Sequence, residues 1–163
     1  MKLIILFFCV VFYLFSFSQV DNEKFVSGLN VAQIENSIIK LINDYRVSKK
    51  LNSLIIDTSL SNTCRSWSDS TIKSVKKVGH LEGEHSNCGM IENIAGWGVV
   101  ASPFIPLNNN IFYLNLPNDI FNGWVKSPGH NYAMLYPAKT IGVGVSIIYF
   151  NNSVFVSVVM RTK

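Results

Sequence analysis

Three residues with acid–base or metal-binding side chains, His80, Glu92 and His130, lie in three separate segments of the sequence. Each stands close to Gly, Pro or an aromatic residue, and only the fold could bring them together into a polar site. A neutral imidazole acts either as a base or as a metal ligand. Two histidines, a glutamate and an open position could hold Zn²⁺ and activate a water molecule. The candidate cofactor is therefore a divalent metal on the two histidines, with Glu92 as the candidate catalytic residue.

The segments around these residues refine that hypothesis. His130 follows Ser127 and Pro128, a pattern typical of a helix start, and the positive end of a helix disfavours a protonated imidazole. Asn93, directly after Glu92, and Ser127, three residues before His130, are further candidate cleft residues. Against an enzyme, the His-Glu-x-x-His spacing of metalloproteases is absent. The alternative is a hydrogen-bonded structural cluster in which Glu92 orients an imidazole and the backbone.

A serine hydrolase with Ser127 as nucleophile and His130 as base is disfavoured. Ser127 is predicted to cap the helix that follows it, which would occupy its oxygen with backbone N–H groups. The sequence also contains no Gly-x-Ser-x-Gly elbow.

The first 18 residues are predicted to be a cleaved secretory signal peptide. Lys2 precedes an apolar run from Leu3 to Phe15, and Ser16 and Ser18 are small residues at the positions read before cleavage. The run is shorter than the roughly 20 residues that span a bilayer. We therefore expect residues 19–163 to form a single secreted or periplasmic domain with no membrane span; an uncleaved anchor is the alternative.

The charge of the chain limits the classes of molecule that it could bind. The net charge is +4 and the lysines are scattered, so no basic stripe points to a nucleic acid.

Cys64 and Cys88 lie outside the predicted signal, and such a pair in an exported protein usually forms a disulfide. The bridge would stabilise the fold by roughly 3 kcal/mol. Two buried thiols are the alternative.

Apolar periodicity predicts the elements that must position the site. Two long helices come first, then a strand, two short helices and a β-hairpin. The fold class is α+β, an α-β-α sandwich with a small antiparallel sheet between helical layers. The predicted ranges are residues 31–50 and 58–78 for the long helices, 91–97 for the strand, 119–125 and 128–135 for the short helices, and 141–150 with 154–160 for the hairpin.

The segment from Ala101 to Pro117 is predicted to be a long surface loop, because it contains three prolines and a run of asparagines. The segment is too apolar to be fully exposed to solvent, so part of it must pack against the domain or bind a partner. It is a lid, a recognition surface or a segment docked on the sheet.

In sequence order these motifs resemble the CAP superfamily, also called SCP-like, of cysteine-rich secretory and pathogenesis-related proteins. The resemblance covers about residues 33 to 162. The motifs that carry it are Ile42 to Arg46, the series Leu54, Asp57 and Leu60, the spacing of Trp67 and His80, Glu92 to Ala95, Trp124 to His130, and Gly142 to Gly144.

The resemblance implies an α-β-α sandwich with a cleft that, in eukaryotic members, contains two histidines and two acids. His80, Glu92 and His130 match three of these positions, and His85 is the rival of His80. The second acid normally follows the Trp124 motif, where this chain has Lys126 instead. A secreted binding module for a cation, a small apolar ligand or a cell-surface partner is therefore the preferred function. A metal-dependent hydrolase of peptide or cell-envelope substrates and a purely structural extracellular domain are the alternatives.

Overall fold

The computed structural model describes residues 22–78, 90–100 and 110–163. Its elements follow one another in an order close to the predicted one. They are α1 (Asn22–Ser27), α2 (Val31–Ser48), β1 (Ile55–Ile56), α3 (Thr58–Val78), β2 (Ile91–Val100), a π-helix (Asn110–Asn115), α4 (Leu116–Lys126), α5 (Pro128–Leu135), β3 (Thr140–Phe150) and β4 (Ser153–Thr162).

Both long helices begin where the sequence predicts. The Asn30 side chain accepts a hydrogen bond from the backbone N–H of Gln33 at 3.2 Å, which caps α2. The Asp57 carboxylate accepts one from the N–H of Leu60 at 2.9 Å, at the start of α3. Such caps satisfy backbone donors that the first helical turn leaves unpaired.

The sheet has the strand order β1-β3-β4-β2. The predicted terminal hairpin is confirmed, since β3 and β4 pair antiparallel around Asn151 and Asn152, whose φ angles are 47° and 58°. Two consecutive left-handed residues favour the tight turn that matches strand twist. β2 adds to the other side of β4 over its whole length, from Ile91 opposite Thr162 to Val100 opposite Ser153.

Two expectations about these elements were wrong, and one helix was not predicted. Ile55 and Ile56 form a strand parallel to β3, so the sheet is mixed rather than antiparallel; two residues are too few to show a period. Helix α1 had not been predicted. The loop prediction for residues 101–117 fails from residue 110 onward, where the chain is helical. Pro117 marks a helix start there rather than a loop.

Helices cover both faces of the sheet, which confirms the predicted sandwich. α3 lies against the face that carries Gly142 and Gly144, where an added Cβ would meet the α3 backbone within 2.5 Å. The opposite face packs against α1, α2, α4 and α5 and forms the main core. Fully buried members of that core are Ile34, Ile38, Ile42, Leu116, Met134, Ile141, Val143, Val154, Val156, Val158 and Met160.

Two residues of the predicted first-helix motif join α2 to its neighbours. The Asn43 side chain exchanges two hydrogen bonds with the backbone of Leu54, at 2.8 and 3.0 Å. Arg46 is 2 % exposed and donates to the carbonyl oxygens of Asn52, Met134 and Tyr136 at 2.8 to 2.9 Å. Burial lowers the pKa of Arg46 because its charged form loses water. The carbonyl oxygens at the end of α5 compensate for that loss.

We therefore expect Arg46→Lys to lower the free energy of unfolding by about 2 kcal/mol, since an ammonium cannot reproduce the planar fork. Urea denaturation measures the change. Lys40→Ala is the matched control on the same helix: its ion pair with Asp44 is largely exposed and should contribute little. An unchanged midpoint for Arg46→Lys would show that the three carbonyl contacts are dispensable.

Candidate functional site

A cleft of about 390 Å³ lies between the outer edge of β2 and the helices α4 and α5. We call it the β2 cleft. Most of its walls are apolar, with three polar side chains among them. The lining residues are Ile94, Ala95, Gly96, Asp119, Ile120, Gly123, Trp124, Ser127 and His130.

The helical period places one wall of this cleft. Asp119, Gly123 and Ser127 recur every fourth residue, and Ile120 and Trp124 stand one position after the first two, so all five share one side of α4 and its end. Trp124 is 2 % exposed and its indole N–H lies 3.4 Å from the carbonyl oxygen of Ile94. The aromatic side chain therefore holds α4 against the β2 edge.

His130 lies in the first turn of α5, as predicted. Its ring centroid is 6.4 Å from that of Trp124. The Asn93 side-chain amide donates to the His130 carbonyl oxygen at 2.9 Å, and its own Oδ1 is buried without a hydrogen-bond partner. Strand β2 thus positions α5 through Asn93, and the structure brings Asn93, Ser127 and His130 to one place.

The Glu92 side chain is not among the residues that line the β2 cleft. Its carboxylate accepts a hydrogen bond from Arg161 Nε at 2.7 Å, and the two side chains are only 3 % and 5 % exposed. Successive residues of a strand alternate between faces, so Glu92 lies on the α3 face, where the Arg161 guanidinium is 5.9 Å from the Trp67 ring.

The structure corrects the expected role of the Ser127 side chain. Ser127 is the residue before α5, but its hydroxyl makes no capping hydrogen bond. Its carbonyl oxygen accepts from the N–H of Asn131 at 2.8 Å instead, and Pro128 supplies the helical φ without an N–H to satisfy. No hydrogen bond joins Ser127 to His130 in the described chain, so the nucleophile–base pair of a serine hydrolase is not formed.

Asp119 is the cleft residue that sequence reasoning missed. Its exposed side chain shares the β2 cleft with His130, whereas the resemblance places a second acid after Trp124. Its spacing from Gly123 and Ser127 was the available signal. A carboxylate and an imidazole in one cleft are both potential ligands for a divalent cation.

Other predicted residues lie outside the described ranges. His80 and His85 are among them, so the two-histidine metal site stays a prediction. Within the described ranges, no group of three or more His, Cys, Asp or Glu residues could hold a metal ion. Cys64 is buried with its sulfur 3.5 Å from the Gly142 carbonyl oxygen, but Cys88 lies outside, and the disulfide also remains a prediction.

The predicted signal peptide likewise falls outside the described residues. Of the helices that are described, none is long and apolar enough to cross a membrane. The predicted loop is described only from residue 110 onward. There the Tyr113 hydroxyl accepts from the backbone N–H of Asn30 at 2.9 Å, so this end of the segment packs against the start of α2.

Three solved structures match this chain, and the one with a TM-score above 0.5 agrees with the sandwich. The crystal structure of MpPR-1i matches with a TM-score of 0.53 at 14% identity, over 78% of this chain and 84% of that one. An outer surface protein from Borrelia burgdorferi (TM-score 0.47, 15% identity, 77% and 89% of the two chains) and the hookworm platelet inhibitor (0.44, 15%, 78% and 67%) also match.

By sequence, no curated protein matches this chain. The family comparison is different, because residues 39–160 match the model of the cysteine-rich secretory protein family. That range contains all the described residues of the β2 cleft. The chain therefore belongs to the CAP, or cysteine-rich secretory protein, family.

Proposed function

We propose that this protein is a secreted CAP-domain binding module whose ligand site is the β2 cleft. The observation that carries the proposal is the composition of the cleft, in which apolar walls surround the polar side chains of His130, Asp119 and Ser127. Small-ligand sites in proteins have this composition, with polar groups that orient an otherwise apolar ligand. Membership of a family of secretory proteins and the predicted signal peptide support an extracellular location.

The walls indicate the ligand class. The half-buried Ile94 presents aliphatic surface, backed by the buried Ile120 and Trp124, and a volume of about 390 Å³ suits a small molecule. His130 and Ser127 can donate or accept hydrogen bonds, whereas the Asp119 carboxylate only accepts. We therefore propose a small, largely apolar ligand with a hydrogen-bonding group at one end.

Binding is favoured over hydrolysis because of the position of Glu92. A general base must lie within hydrogen-bonding reach of the proton that it removes. Glu92 is instead held by Arg161 in a buried ion pair. The carboxylate oxygen Oε2 is thus occupied by a guanidinium donor at 2.7 Å.

The proposal is tested by filling the cleft. An added Cβ at Gly123 would meet no atom within 4 Å, so Gly123→Leu should place an isobutyl group in the cleft without disturbing the fold. We expect the mature domain to enhance the fluorescence of anilinonaphthalene sulfonate, an apolar probe with one anionic group. Gly123→Leu should weaken that binding at least about tenfold, as expected when desolvated contact is lost.

Gly129→Leu is the matched control. Gly129 also has open space around it and lies at the start of α5, but it does not line the cleft. This variant should bind the probe as the parent does. Equal binding by Gly123→Leu and the parent, with both variants folded by circular dichroism, would refute the β2 cleft as the ligand site.

A divalent cation is the second candidate ligand, favoured by the presence of His130 and Asp119 in one cleft. The zinc ligand that completes such a site is proposed to be His80 or His85. Isothermal titration of Zn²⁺ into the parent should show micromolar binding that His130→Ala removes. Single variants of His80 and His85 then identify the partner. Binding that is absent, or unchanged in His130→Ala, would refute the cation site and leave the apolar-ligand proposal standing.

A further inference from the structure

The outer edge of β3, on the side away from β4, has a defined hydrogen-bonding direction. The N–H of Ile55 donates to the carbonyl oxygen of Lys139, and the N–H of Asp57 donates to that of Ile141. Backbone groups of alternate residues in a strand point to the same side. The odd-numbered residues of β3 therefore direct their N–H and C=O groups away from β4, as Val145 does when its N–H donates to Glu35 at 3.0 Å.

Beyond Val145 this edge has no strand partner in the described chain. β1 pairs only with Thr140 and Ile141. By the same alternation, Ile147 and Tyr149 also direct their N–H and C=O groups outward, and among the described residues no hydrogen bond reaches the Ile147 backbone from that side. An edge with unpaired backbone groups is a template for another strand.

A second cleft, of about 420 Å³, runs along this edge. We call it the β3-edge cleft. It lies between α3 and the start of α2, with four consecutive β3 residues in its wall. Its lining residues are Val31, Arg65, Asp69, Ile72, Lys73, Lys76, Val145, Ser146, Ile147 and Ile148.

The charges at this cleft are not balanced. Arg65 pairs with Glu35 at 2.6 Å, and this hydrogen bond raises the pKa of Arg65. Asp69 accepts a hydrogen bond from Ser146. Lys73 and Lys76 are exposed and have no carboxylate partner in the part of the chain that the structure describes. The rim of the cleft is therefore positive, beside an apolar strand edge.

We propose that the β3-edge cleft binds an extended acidic segment of a partner protein, which adds to the sheet as a further strand. The partner backbone pairs with the outward N–H and C=O groups of Ile147 and Tyr149, and its carboxylates meet Lys73 and Lys76. Main-chain hydrogen bonds supply affinity in such additions, and side-chain contacts supply specificity. Glu35 ends the new ladder, because it already accepts the Val145 N–H.

Two features favour this occupant over a compact ligand. The exposed groups are a row of backbone donors and acceptors, which only another extended chain matches. The half-buried end of β3, residues 147–150, is also apolar, and an apolar edge that no described strand pairs with invites self-association. A partner strand would cover it.

The test uses a fluorescent hexapeptide of alternating glutamate and valine, titrated into the mature domain by anisotropy. We expect saturable binding that Lys73→Glu/Lys76→Glu weakens at least about tenfold. Lys126→Glu/Lys139→Glu changes the charge equally at two exposed lysines outside the cleft and should bind like the parent. Equal loss in both double variants would refute the site, since net charge alone would then explain binding.

The backbone component is tested with the peptide N-methylated at alternate residues, in each of the two registers. One methylated form should lose binding, because methylation removes its ladder donors, and the unmodified peptide should slow hydrogen exchange at the Ile147 amide. Equal binding by all forms, or no binding, would overturn strand addition. Binding of laurate or of anionic phosphatidylglycerol vesicles in place of the peptide, with the same dependence on the two lysines, would also overturn it.

Discussion

Gly144→Ala is expected to lower the free energy of unfolding by about 4 kcal/mol or more, or to prevent folding. An added Cβ would lie 2.0 Å from Arg65 N and 2.3 Å from Cys64 C. Both atoms belong to the α3 backbone, so no flexible side chain can move aside. The helix is held against this strand because the Ser68 hydroxyl donates to the Gly144 carbonyl oxygen at 2.8 Å. Urea denaturation monitored by circular dichroism measures the loss.

Gly123→Ala is the matched control, since nothing lies within 4 Å of its added Cβ. Gly123 is inside α4, where alanine is the better helix former, and the change should stabilise by about 0.5–1 kcal/mol. A Gly144→Ala domain as stable as the parent would contradict the close approach of α3 and β3.

Glu92→Gln is expected to cost about 3–5 kcal/mol, because it replaces the carboxylate of a buried ion pair with Arg161 by a neutral amide. At a few degrees per kcal/mol for a domain of this size, the melting temperature should fall by about 10 °C. Differential scanning calorimetry measures it. The same substitution would be nearly neutral for stability if Glu92 were an exposed cleft carboxylate.

The double variant Glu92→Met/Arg161→Met separates the contribution of the ion pair to stability from that of side-chain packing. Replacing both charges with apolar groups removes the buried ion pair as a whole and should recover most of the stability lost in Glu92→Gln. If this folded double variant still binds anilinonaphthalene sulfonate like the parent, Glu92 acts in the fold and not in the β2 cleft. Lost binding at unchanged stability would assign Glu92 to the ligand site and contradict the separation seen here.

Local sequence patterns were sufficient to predict the two long helices and the terminal hairpin. The helical spacing from Val31 onward, with Asn30 as the cap, predicted α2, and Asp57 predicted the start of α3. Asn151 and Asn152 predicted the hairpin, because few residues adopt a left-handed backbone readily. In each case the signal depends on neighbours in the sequence, so the sequence alone carried it.

Short or context-dependent elements were missed for the opposite reason. β1 is only two residues long and exists because its backbone pairs with the distant strand β3. The π-helix at Asn110–Asn115 replaces part of a predicted loop, since the composition there predicts a turn while Tyr113 packs against α2. Neither partner is visible in the local sequence.

The sequence by itself determined the family, the order of the main elements, and the placement of Asn93, Ser127 and His130 near helix and strand ends. Only the tertiary structure decided which of these residues share a cleft. Strand β2 alternates its side chains between two covered faces, so Glu92 and Asn93 are neighbours in sequence but lie on opposite sides of the sheet. Asp119 enters the β2 cleft because Trp124 packs α4 against the β2 edge, a contact between residues distant in the chain.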